Sequence, residues 1–141
     1  MTVRLLLDTN VISDFVRGEP EVQHRLRATA PAHLAVPSVT VTEIAYGLAR
    51  NPPRARRIAS LLEQLIGAIS VLEYTEADAR ETGRVRAELE TAGRPIGLCD
   101  AMLAAVTRAR HLTLVTHNAD EFARVEHLRL VDWRSSAHPG G

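Results

Sequence analysis

The 141-residue chain is 45% hydrophobic and 24% charged, with 17 acidic and 17 basic residues that cancel to a net charge of zero. That make-up suits one soluble globular domain, and its neutrality gives no bulk signature of nucleic-acid binding, although it leaves room for a local basic surface. Every basic residue is Arg, which excludes a P-loop and any phosphoryl-transfer site that needs a Lys.

The chain opens on an apolar run, residues 3–7, broken only by Arg4, and Asp8-Thr9-Asn10 follow at once. Val11, Ile12, Phe15 and Val16 then recur at helical spacing. The stretch reads as a buried strand, a polar turn and a helix. A strand apolar on both faces suits the middle of a parallel sheet. Asp8 then stands at its carboxyl end, the edge where open α/β sheets bind ligands; it is equally well placed to cap the helix. That helix ends near Arg17-Gly18. Pro20 opens a second, running to residue 30, with Val22 and Leu26 on one face. Residues 34–36 form a short strand closed by Pro37. Residues 38–49 are helical, and Asn51-Pro52-Pro53 stops them. Residues 54–66 form the next helix, with Ile58, Leu61, Leu62 and Leu65 at helical spacing and Arg54, Arg56 and Arg57 in its opening turn.

A third strand, 69–72, precedes Thr75, which with Asp78 three residues on is close to a capping box. The helix it starts runs to Ala92 and ends at Gly93. After the loop Arg94-Pro95-Ile96-Gly97, residues 98–110 form a helix that is apolar almost all round. Residues 112–115 are a fourth strand, 118–124 a short helix and 128–131 a fifth strand. A single domain, 1–134, is then followed by a frayed tail, 135–141. Strand alternating with helix argues for a parallel sheet with helices on both faces. The lone Cys99 cannot close an internal disulfide and fits a reducing cytoplasm; within its apolar run it is expected to be a small buried hydrophobe. No stretch reaches membrane-spanning length, and the N-terminus has no signal-peptide pattern.

Several acids need explaining. Asp100 lies in the most apolar helix, where an unpaired carboxylate is costly and needs an Arg partner, a capping role or a bound cation. Glu43 lies beside the apolar Ile44, Ala45 and Leu48, yet Thr40-Val41-Thr42-Glu43 also fits a capping box. The stretch Thr116-His117-Asn118-Ala119-Asp120-Glu121-Phe122 brings polar and acidic groups to the carboxyl end of the fourth strand, the same edge as Asp8. Asn118 and Glu121 there also fit a cap and its partner. Acids gathered at one edge repel one another, and their pKa values rise unless a cation intervenes. Oxygen ligands of this kind select Mg²⁺ or Mn²⁺. The six His are scattered without zinc-ligand spacing, most of them expected at the surface.

Leu6-Leu7-Asp8-Thr9-Asn10, the Ser38 to Gly47 stretch with Glu43, the run from Ile96 to Ala105 with Asp100, the run from Leu114 to Phe122, and the closing Leu130-Val131-Asp132-Trp133 together resemble the PIN-domain ribonucleases. Within them, the resemblance is to the toxin half of VapBC toxin–antitoxin pairs. It spans almost the whole chain, in the family's order. It implies a five-stranded parallel sheet between helices and a site holding one or two Mg²⁺ or Mn²⁺ ions. Asp8, Glu43 and Asp100 are implied as core acids and metal ligands, with Asn118 and Glu121 at the fourth position and Asp120 nearby. Thr9, Asn10, Ser38 and Thr116 are implied as supporting polar groups. Arg54, Arg56 and Arg57 could hold an RNA backbone, although a solvated helix face accounts for them slightly better. The implied activity is endoribonucleolytic cleavage, of transfer RNA at the family level, by metal-activated water that leaves a 5′-phosphate and a 3′-hydroxyl. The implied partners are a small antitoxin that covers the site and a second copy of the chain. A DNA-directed nuclease of the same fold, or a module whose acids merely take a structural ion, are the rival readings.

Overall fold

The computed structural model describes residues 2–134, so the expected tail at 135–141 lies outside the described residues. Leu5–Leu7 (β1), Leu34–Pro37 (β2), Ser70–Leu72 (β3), Thr113–Val115 (β4) and Arg129–Val131 (β5) form one sheet, in the order β3-β2-β1-β4-β5. Every pairing in it is parallel. The connections are helical: Thr9–Arg17 (α1) and Pro20–Ala28 (α2), Ser38–Arg50 (α3) and Pro52–Ala68 (α4), Glu76–Thr91 (α5) and Leu98–Ala109 (α6), and Ala119–Phe122 (α7). This is the α/β architecture expected from the alternation of strands and helices.

The strands are apolar on both faces because each face serves its own core. Leu6, Ala35 and Leu114 pack with Val85 and Leu89 of α5 and with Leu103 and Ala104 of α6. Their neighbours Leu7, Val36 and Val115 pack with Val11 and Ile12 of α1, Val22 of α2 and Leu62 of α4. Period two along a strand thus sorts side chains between two helical layers. From β1 the chain moves outward to β2 and β3, then crosses back to place β4 on the other side of β1. The strand order therefore reverses between β1 and β4, and such a switch point opens a crevice at the carboxyl ends of the strands.

Three local expectations change. Asn51-Pro52-Pro53 ends α3 but also begins α4: the Asn51 carboxamide oxygen accepts from Arg54 N–H, and Pro52 takes the first helical position, where a missing N–H costs nothing. Thr40 caps no helix. Residues 38 onward are already helical, and the Thr40 hydroxyl donates to the Leu7 carbonyl at 3.2 Å inside the core. Cys99 is exposed rather than buried. Helix α6 enters the interior only from Ala101, and its first turn stands at the rim, with Leu98 55% exposed.

Candidate active site

Asp8 follows β1 directly, and its N–H extends the ladder to the Val115 carbonyl at 3.0 Å. Its buried carboxylate accepts from Thr9 N–H at 2.7 Å, from the Thr116 hydroxyl at 2.8 Å and from the Asn10 amide at 3.3 Å. Asp8 thus caps α1 and is also tied across the switch point to the end of β4. The Asn10 amide reaches Thr116 Oγ1 at 3.3 Å, Asn10 Oδ1 accepts from His117 N–H at 3.4 Å, and Asn118 N–H donates to Thr116 Oγ1 at 2.9 Å. Glu43, one turn into α3, accepts from the Thr9 hydroxyl at 2.8 Å. It turns towards Asp8 rather than back along its helix, so the capping-box reading of Glu43 falls with that of Thr40.

Glu121 stands beside Asp100, where a hydrogen bond between the two carboxyls favours the protonated form of Asp100. Burial pushes the Asp100 carboxyl up to about 7, helped by that bond and by the charges of Asp8, Glu121 and Glu43. Burial also raises Asp8, against the pull of the Thr116 and Thr9 hydrogen bonds, which favour its charged form. Asp8, Glu43, Asp100 and Glu121 therefore act on one another electrostatically, at one end of the sheet. Among the described residues no three His, Cys, Asp or Glu side chains are arranged to hold an ion. The Asp8 carboxylate leans on Thr9 and Thr116, and Glu43 on the Thr9 hydroxyl. Their donors are all oxygens, and a hard divalent cation fits that chemistry.

A PIN-domain family description matches residues 5–128. The tRNA(fMet)-specific endonuclease VapC of Shigella flexneri is 37% identical over 132 residues, 93% of this chain and 98% of that protein. Ribonuclease VapC2 of Haemophilus influenzae is 33% identical, over the same shares of the two chains. The structure of DNA-bound VapBC from Salmonella typhimurium is similar with a TM-score of 0.85 at 32% identity, over 94% of this chain and 99% of that one. The chain belongs to the PIN-domain family, among the VapC ribonucleases.

Other residues of this PIN domain fall less simply. Ser38 Oγ accepts from Tyr74 N–H at 3.1 Å, which ties the start of α3 to the segment after β3 and not to the acids. Asn118 caps α7 by position but makes no side-chain cap bond. Glu121, the third residue of α7, reaches Asp100, whereas Asp120 is exposed. Arg54 lines a cleft of about 100 Å³ beside Thr9 and Glu43; Arg56 and Arg57 are exposed. Sequence reasoning passed over Asp14, which is 1% exposed and accepts from Arg17 and Arg134. One local signal was available, since Asp14 stands three residues after the buried Val11, on the inward face of α1. Nothing local marks Arg134.

Proposed function

We infer that this VapC ribonuclease is a divalent-metal-dependent enzyme that hydrolyses a phosphodiester bond of transfer RNA in the cytoplasm, and that an antitoxin silences it. The observation that carries the reading is the group of four acids at the switch point, with Asp100 raised to about 7 by burial and then by the other acids. Asp8, Glu43 and Asp100 would hold Mg²⁺ or Mn²⁺, and the ion would supply positive charge for the scissile phosphate and make a water acidic enough to attack. The protein's own part is positioning. Thr116, Asn10 and Thr9 fix the Asp8 carboxylate, Thr9 also fixes Glu43, and Glu121 stands beside Asp100. No nucleophilic Ser or Cys is required, and Cys99, its thiol pushed up by burial and by the charges of Glu43 and Asp100, is a poor one.

The names of the relatives support the substrate class, and the VapBC structure supports the partner. An apolar groove between α3 and α4, lined by Ile44, Leu48, Leu62 and Ile66, adjoins the cleft at Glu43 and Arg54. It suits an antitoxin segment with apolar side chains and a basic group facing the acids. A second copy of the chain completes the assembly we infer. Incubation with labelled transfer RNA and with DNA, with and without Mg²⁺, tests the reading. RNA cleavage that needs the ion and stops on adding antitoxin is expected; cleavage of DNA alone, or ion binding without cleavage, would overturn it.

A further inference from the structure

Asp14 is a buried carboxylate that the proposed chemistry does not use. Its Oδ1 accepts from Arg17 at 2.6 Å and from Arg134 Nη2 at 2.5 Å, and its Oδ2 accepts from Arg134 Nε at 2.8 Å. His117 Nδ1 stands 3.7 Å from the same Oδ2. These partners come from separate parts of the chain: Arg17 from the end of α1, Arg134 from beyond β5, and His117 from the turn between β4 and α7. His117 N–H in turn holds Asn10 Oδ1, and Asn10 bridges Asp8 and Thr116. Arg134, Asp14, His117, Asn10 and Asp8 thus stand in succession, joined by hydrogen bonds except at the Asp14–His117 step, which is a 3.7 Å approach. The same turn leads into α7 and Glu121.

We propose that Asp14, clamped by Arg134, is a positioning residue that seats the His117 turn and so sets the Asp8 carboxylate against the Asp100–Glu121 pair. A fork of two parallel N–H bonds fixes direction as well as distance, which a single ammonium does not. The Asp14 carboxylate is buried while both guanidiniums reach it from the part-exposed side, so the clamp fixes the direction of the carboxylate that faces the turn. The proposal rests on the reading of those acids as the cleaving centre.

Arg134→Ala is the variant of choice, because the Arg134 side chain is 42% exposed and its loss leaves Asp14 with Arg17. Cleavage rates, melting curves and nuclear magnetic resonance spectra of wild type, Arg134→Ala and Arg134→Lys provide the test. Misplacing a catalytic group by an ångström can cost about a hundredfold; since Arg17 remains, a loss of about tenfold in kcat is expected for Arg134→Ala, with KM within about twofold. The Asn10 side-chain amide and His117 backbone amide signals should shift, and Arg134→Lys, with charge but no fork, should recover only part of the rate. Unchanged kcat per folded molecule, or unmoved Asn10 and His117 signals, overturns the proposal and leaves Asp14 a stabilising ion pair. If wild type itself cleaves no RNA, the failure belongs to the functional reading, and the Asn10 and His117 signals alone decide the positioning.

Discussion

Asp100 is the residue whose chemistry most depends on its neighbours. Its carboxyl is raised from 3.8 to about 7, first by burial and then by the hydrogen bond with Glu121 and the surrounding negative charge. In the metal-free protein the folded state therefore keeps a proton that the unfolded chain has already released between about pH 4 and pH 7. Stability from this group is present below that window and falls as pH rises through it. Asp100→Asn removes the titration, so its melting temperature should approach that of wild type near pH 4 and exceed it near pH 8, with chelator present. Added Mg²⁺ should then favour wild type. A gap between the two proteins that does not change with pH would sink the argument. Glu121 and Asp120 give a second contrast at this scale. Glu121 stands beside Asp100 and helps raise it, while Asp120 is exposed. Glu121→Gln should lose most of the cleavage rate and Asp120→Asn little; parallel rate measurements in which Asp120→Asn alone is inactive would reverse the assignment. Glu43→Gln should lose activity without the stability cost of a lost cap, since Glu43 caps nothing.

At the scale of elements, the helix ends separate stability from function. Thr75 and Asp78 form a complete capping box at the start of α5, and Asp78 also takes Arg110 at 2.7 Å. Thr75→Ala should cost about 1 kcal/mol. Helix α6 ends differently. His111 sits there with φ 55, and Leu112 N–H bonds back to the Thr107 carbonyl. This is the position that usually calls for glycine, because a Cβ in left-handed backbone is strained by about 1 kcal/mol or more. His111→Gly should therefore stabilise the protein by up to about 1 kcal/mol, a few degrees in Tm. Neither change touches the acids, so cleavage per folded molecule should stay as in wild type. Thermal melts and rates on the same preparations check both; a fall in Tm for His111→Gly would show that the imidazole does something beyond filling the turn.

For the whole molecule, neutrality limits how RNA is held. With 17 Arg against 17 acids, phosphate contacts have to be few and local, and Arg54 beside Glu43 is the placed candidate. RNA binding should weaken only shallowly with salt, with a slope matching about two or three phosphates, and Arg54→Ala should lower it by about one. Binding isotherms across a salt series test this, and a steep slope would mean a basic surface outside the acid end. Much of this molecule was readable without its structure. Short two-faced apolar runs alternating with helices dictate a parallel sheet, because a strand apolar on both faces needs a helical layer on each side. Asp8 at the end of the first run and Asp100 in the most apolar helix stood out, since a carboxylate in apolar company requires a reason. Other features depended on packing between distant segments. Glu43 had a local capping explanation until Thr40 was found bonded to Leu7 and Glu43 to Thr9. Glu121 was favoured over Asp120 by the family pattern and by its place in the short helix, but only the folded chain shows Glu121 beside Asp100 and Asp120 exposed. Cys99 looked buried because the run around it is apolar, but only the depth at which α6 enters the core decides where burial begins. Asp14 and Arg134 meet across 120 residues. Periodicity and capping act over a few residues and can be read from the chain, whereas the crossover that puts β4 beside β1 decides which distant side chains meet, and no local pattern encodes that.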